Sequence, residues 1–252
     1  MSSPPLCSPS GPPLCSSSGP PLLLVAHGSR SDAADAVVRS LAGAVAAHGP
    51  QVEVCYVDVR GPKVVDAVSS LQDRGYDGAV VVPAFLAAGY HVRVDLPAQL
   101  AEAGADPARF RTTPAMGPDP LLAAAALDRL RAAGYRDGDA VVLAAAGSSD
   151  ASAVAQVRLA AGMLSSLVGR KVRVGFAATG TPTVSALVEG LHAAGESRVA
   201  VASWLLAPGV FQNRLLDSGA EVVADPLGVH DDVVRALLDR YTAGAAEIAR
   251  AA

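Results

Sequence analysis

The sequence predicts an α/β protein made of two successive units, each a mostly parallel four-stranded sheet flanked by helices. Three observations predict it. Strand-like and helix-like stretches alternate along the chain. The interior strand-like stretches are continuous and Val-rich, as in Gly78-Ala79-Val80-Val81-Val82-Pro83. The second half also repeats the first at a spacing of 119 to 120 residues, Gly28-Ser29 returning as Gly147-Ser148 and Pro62 as Pro182. Alternation of this kind implies βαβ units, and uninterrupted apolar strands are those that helices cover on both faces.

In order, strands are expected at 22–26, 51–58, 77–83, 109–114, 139–146, 171–178, 198–205 and 220–224. Helices are expected at 31–48, 62–74, 92–103, 119–134, 150–168, 183–195, 208–217 and 229–250. Right-handed crossovers then bring all strand C-termini to one rim. Ahead of the first strand, Ser3-Pro4-Pro5-Leu6-Cys7-Ser8 returns as Gly11-Pro12-Pro13-Leu14-Cys15-Ser16. Pro, Ser and Gly at this density cannot fill a core, so residues 1–20 read as a disordered tail. The units are then 21–136 and 137–252.

Composition narrows the function classes. With 252 residues, 51% of them apolar, the chain can bury a sizeable core. A net charge of −4 does not suggest a nucleic-acid binder. No apolar run is expected to approach the roughly 18 residues of a membrane span. Cys7, Cys15 and Cys55 show neither a disulfide framework nor zinc-knuckle spacing. A cytoplasmic protein is expected, with no membrane partner.

The first strand, Leu22-Leu23-Leu24-Val25-Ala26, runs into His27-Gly28-Ser29-Arg30. Gly28 permits a turn, and Ser29 or Ser31 can cap the helix beyond it. The third strand ends at Pro83, and after a loop of small and apolar residues His91 opens a helix. In an open parallel sheet ligands bind outside the carboxyl ends of the strands, so both histidines reach the same rim. Two imidazoles there can hold a borderline divalent ion with coordination positions to spare. Each also has a plainer use: His27 can pack at a strand end, and His91 can bond nearby backbone. Asp58 ends the second strand. It can be a ligand, a partner fixing an imidazole tautomer, a proton acceptor, or the cap of the turn before Pro62.

Comparing the halves separates these uses. At the positions of His27 and Asp58 the second half has Ala146 and Ala178, and near His91 it has Val210 or Phe211. Packing alone gives no reason for three polar strand-end groups to be replaced together. The first half is expected to carry the chemistry and the second a wall, lid or interface.

Leu24-Val25-Ala26-His27-Gly28-Ser29-Arg30, with Pro83, Gly89-Tyr90-His91 and Asp95-Leu96-Pro97, resembles the class II chelatases of the CbiX/SirB type, in their long two-domain form. The resemblance covers the chain after the tail, and implies two tandem chelatase-like domains, the second degenerate. It implies insertion of Fe²⁺ or Co²⁺ into sirohydrochlorin, with the metal as substrate and no permanent cofactor. Family motif histidines that bind metal match His27 and His91. Some members place a Glu where this chain has Asp58, one methylene shorter. Sirohydrochlorin carries many carboxylates, for which Ser29, Arg30 and Arg93 are candidate partners, with Arg60 and Lys63 as further counter-charges. Iron insertion to give siroheme is the first reading. Cobalt insertion for a corrinoid is the second, and a non-catalytic metal or tetrapyrrole carrier the third.

Overall fold

The computed structural model describes residues 19–251. The Pro/Ser-rich repeats fall outside the described residues, apart from Gly19 and Pro20 at their end. The Pro20 carbonyl accepts a hydrogen bond from Tyr241 Oη at 2.9 Å.

The first sheet contains β1 (Leu22–Ala26), β2 (Val52–Tyr56), β3 (Ala79–Pro83) and β4 (Phe110–Thr112), in the order β2-β1-β3-β4. The second contains β5 (Ala140–Gly147), β6 (Val172–Thr179), β7 (Val199–Trp204) and β8 (Val222–Val223), in the order β6-β5-β7-β8. Every pairing is parallel. Between them run α1 (Asp32–Ala46), α2 (Val64–Asp73), α3 (Leu96–Glu102), α4 (Pro120–Ala132), α5 (Ala151–Val168), α6 (Val184–Ala193), α7 (Val210–Leu216) and α8 (Asp231–Ala251). A π-helical turn, His91–Asp95, leads into α3 where the pattern predicts ordinary helix.

The strand residues of β1, β3 and β7 are all buried, as their unbroken apolar runs require. One face of the first sheet packs on α2 and α3, through Val68, Leu71, Leu96 and Leu100. One face of the second packs on Val184, Val188, Leu191 and Leu215 of α6 and α7. The two inner faces enclose a single core shared by α1, α4, α5 and α8.

That shared layer is built by exchange. Helix α4 follows β4 yet packs on β7 and α5, while α8 follows β8 yet packs on β3 and β4. Gly244 makes the second approach possible: a Cβ there would lie 2.6 Å from Val80 Cγ1. Two arginines lock the exchange reciprocally. Arg129 of α4 donates to the carbonyls of Leu227 (2.9 Å) and Val229 (3.0 Å) ahead of α8. Arg240 of α8 donates to the carbonyl of Met116 (3.2 Å) and to Asp119 (3.0 Å) ahead of α4.

One expectation is corrected. Helix α5 has 18 residues and a mean hydropathy of 1.3, enough by length and composition to cross a membrane. Its Ala153, Val157, Ala160, Ala161 and Leu164 are buried within the fold. Leu159 and Leu167 of the same helix are exposed.

Candidate metal centre

Strands β1 and β3 are neighbours, and the chain leaves them toward opposite edges of the sheet. Such a reversal opens a crevice at the strands' carboxyl ends, and His27 and His91 come from the two loops that border it.

His27 is fixed by backbone on both sides. The Val25 carbonyl accepts from Ala84 N at 2.8 Å, and the His27 carbonyl accepts from Asp58 N at 3.0 Å. Gly28 has φ 95°, and a Cβ there would lie 2.2 Å from the Asp58 carbonyl oxygen, so the turn has room for glycine alone. Ser29 Oγ accepts from Ser31 N at 3.0 Å, and Ser31 Oγ caps α1 on Ala34 N. Beneath this loop Arg60 acts as a strut. It donates to the Ser29 carbonyl (3.1 Å) and pairs with Asp32 (2.6 Å) and Asp35 (3.0 Å). Asp35 also accepts from Tyr56 Oη and Arg39, and these bonds hold its carboxyl below the usual range. Burial, then the Asp35 bond, pushes the Tyr56 phenol up to about 12.

The Nε2 atoms of His27 and His91 lie 3.0 Å apart, with their ring planes at 86°. His27 Nδ1 lies 2.9 Å from the Gly28 carbonyl oxygen, and His91 Nδ1 lies 2.5 Å from Asp95 Oδ2. A carbonyl and an ionised carboxylate only accept hydrogen bonds. Both Nδ1 atoms are therefore the donors, and in the neutral rings both Nε2 atoms keep a free lone pair. Two Nε2 atoms at that distance can share a proton or hold a metal ion. With metal–imidazole bonds of about 2.1 Å, this separation corresponds to an angle of about 90° at the ion. Among the described residues no group of three or more His, Cys, Asp and Glu side chains forms a ligand cluster. The remaining coordination positions are open to water or to a ring.

The other sequence-predicted residues take distinct places. Asp58 Oδ1 accepts from Val59 N at 2.7 Å, and Val59 sits at φ 57°. That backbone bond, followed by the charges of Lys63, His27 and His91, holds the exposed Asp58 carboxyl below its ordinary value. Capping the turn is a role its geometry shows. Arg30 lines the crevice with no side-chain hydrogen bond or ion pair to another described residue. Arg93 pairs with Asp150 at the N-cap of α5.

The crevice extends across to the second sheet as two connected hollows meeting at His27, Leu205, Leu206 and Phe211. One, about 570 Å³, lies over Ser29 and Arg30. The other, about 550 Å³, runs between His91 and Gly147-Ser148-Ser149. Their walls are largely apolar, with Phe85, Trp204 and Phe211 among them. Asp95 was available to sequence reasoning, since it stands four residues after His91 in a helical stretch, where side chains meet. The wall from β7 and α7 carried no such signal.

A family model described as CbiX matches residues 21–133 and 140–243. A sirohydrochlorin cobaltochelatase of Sulfolobus acidocaldarius is 41% identical over 81 residues, which are 32% of this chain and 66% of that protein. One from Methanopyrus kandleri is 40% identical over 81 residues, 31% of this chain and 57% of that protein. The chain thus spans less than two thirds of the length of these curated relatives. SirB from Bacillus subtilis with Fe³⁺ superposes with a TM-score of 0.78 at 22% identity, covering 89% of this chain and 95% of that one. SirB from Bacillus subtilis subspecies spizizenii, a sirohydrochlorin chelatase in complex with cobalt, gives a TM-score of 0.70 at 23% identity, covering 89% and 94%. At these identities the structural likeness is one of fold.

Proposed function

The chain belongs to the CbiX family, and from that premise we propose that it inserts a divalent metal into sirohydrochlorin. The observation that carries this reading is the pair of Nε2 atoms converging at 3.0 Å beside an apolar crevice. Two neutral imidazoles bind a borderline ion without satisfying it, so it can pass to a stronger chelator. The apolar walls suit a flat macrocycle. Arg30, Ser29 and the backbone N–H groups at the start of α1 would meet its rim carboxylates. Asp95 holds the Nδ1 proton of His91 in place, so Nε2 stays a ligand.

Fe²⁺, giving siroheme, is the reading taken first from the sequence. Co²⁺ has equal support, because relatives such as those of Sulfolobus acidocaldarius and Methanopyrus kandleri are named cobaltochelatases, and imidazole suits both ions. The test is anaerobic incubation of the protein with sirohydrochlorin and Fe²⁺, Co²⁺ or both, followed by the visible spectrum. Many turnovers per protein support the enzyme, and the faster metal identifies its substrate. A spectral change that stops at one equivalent makes the protein a carrier instead.

A further inference from the structure

The second half lacks the imidazole pair, yet it grips the loop that carries His91. Ala88 N donates to Gln156 Oε1 of α5 at 2.7 Å. The indole Nε1 of Trp204, at the end of β7, donates to the Leu86 carbonyl at 3.4 Å. Asp150, which caps α5 through Ser152 N at 2.9 Å, pairs with Arg93 inside the π-helical turn. Gly89 lies against the start of α5, its Cβ direction 3.9 Å from Ala153 and Ser148. Residues 86–93 are thus held at three points by the opposite unit.

Among the described residues these contacts have no mirror image. Leu22 pairs with Val80 as Val141 pairs with Ala200, which sets Trp204 equivalent to Ala84. Ser31 and Asp150 both cap the helix after the central strand, which sets Gln156 equivalent to Val37. Neither Ala84 nor Val37 can donate or accept through its side chain. General packing between two like units would recur on both sides. Grip in one direction only, on the loop bearing a metal ligand, points to a task.

We infer that the second half is a positioning body for His91, with Gln156 its principal positioning residue. It rests on the reading of His27 and His91 as a metal centre. A loop released at Ala88 and Leu86 would let the His91 ring wander from the 3.0 Å approach to His27. The ion would then lose one of its two protein ligands for part of the time.

The test compares Gln156→Ala with Gln156→Glu in the full chain. Glutamate keeps an oxygen that can accept from Ala88 N, and alanine does not. In Gln156→Ala the amides of residues 84–95 are expected to exchange hydrogen faster. Co²⁺ affinity, titrated without tetrapyrrole, is expected to fall about tenfold, the lower end of outer-shell effects on metal sites. Gln156→Glu should restore both, and Asp150→Asn, which keeps the cap, should loosen the same segment. Unchanged exchange in Gln156→Ala overturns the inference, as does faster exchange with undiminished Co²⁺ affinity. A parent protein that binds Co²⁺ but never metallates sirohydrochlorin defeats the proposed function and leaves this inference standing. A parent that binds no Co²⁺ defeats both.

Discussion

The two halves of the molecule share a frame and differ in what they hang on it. Strand order is the same in both sheets. Gly28 and Gly147 stand at matching strand ends with φ 95° and 99°, each with no space for a Cβ. The arginine clamps of α4 and α8 mirror each other. The polar groups do not follow. His27, His91 and Asp95 stand opposite Ala146, Phe211 and Leu215, and Asp35, Tyr56 and Arg60 stand opposite Val154, Phe176 and Gly180. Features that set the backbone path recur, the two arginine clamps included, while the imidazole pair and the polar side chains around it occur once. The second half has its own polar groups, Asp150 and Gln156, and these face the first. The difference teaches that the site is made by one unit and completed by the other.

The comparison breaks most sharply at the imidazoles. His27→Ala or His91→Ala should weaken Co²⁺ binding by more than the roughly 100-fold that outer-shell losses reach, with the melting temperature retained. Binding unchanged in either variant, read by Co²⁺ titration, removes the paired-ligand site. Asp95→Asn is next, costing about 10- to 100-fold in Co²⁺ affinity, because an amide can present its N–H to His91 Nδ1 and reverse the tautomer.

Matched substitutions then sharpen the contrast. Gly28→Ala and Gly147→Ala should each destabilise by more than about 1 kcal/mol in urea unfolding, since alanine is strained at positive φ and meets backbone oxygen in both places. Only Gly28→Ala should also lose metal affinity. Arg129→Ala and Arg240→Ala should cost similar amounts, about 1–2 kcal/mol each for the carbonyls left without their donor. A large disparity would show that the exchange of helices is lopsided.

The smallest effect separates Tyr56 from its counterpart Phe176. Tyr56→Phe removes one hydrogen bond, about 1 kcal/mol. The Tyr56 value of about 12 lies above that of a free phenol. Its contribution is therefore complete below about pH 10 and is lost as pH rises through the folded value. Thermal melts from pH 9 to 12 should show less alkaline loss in the variant than in the parent.

The sequence by itself determined the α/β class, the parallel sheets, the order of elements and the repeat, because apolar periodicity and glycine or proline punctuation are local. It also brought His27 and His91 to one rim, because strand-end loops beside a reversal must share a crevice. Only the tertiary structure decided that the two Nε2 atoms approach to 3.0 Å and that Arg60 is a strut. It likewise decided the exchange of α4 and α8 and the grip of Gln156 and Trp204 on the His91 loop. The exchange and the grip rest on pairings between residues 68 to 124 positions apart. No local pattern encodes such contacts, since each depends on how two finished sheets pack across a common layer of helices.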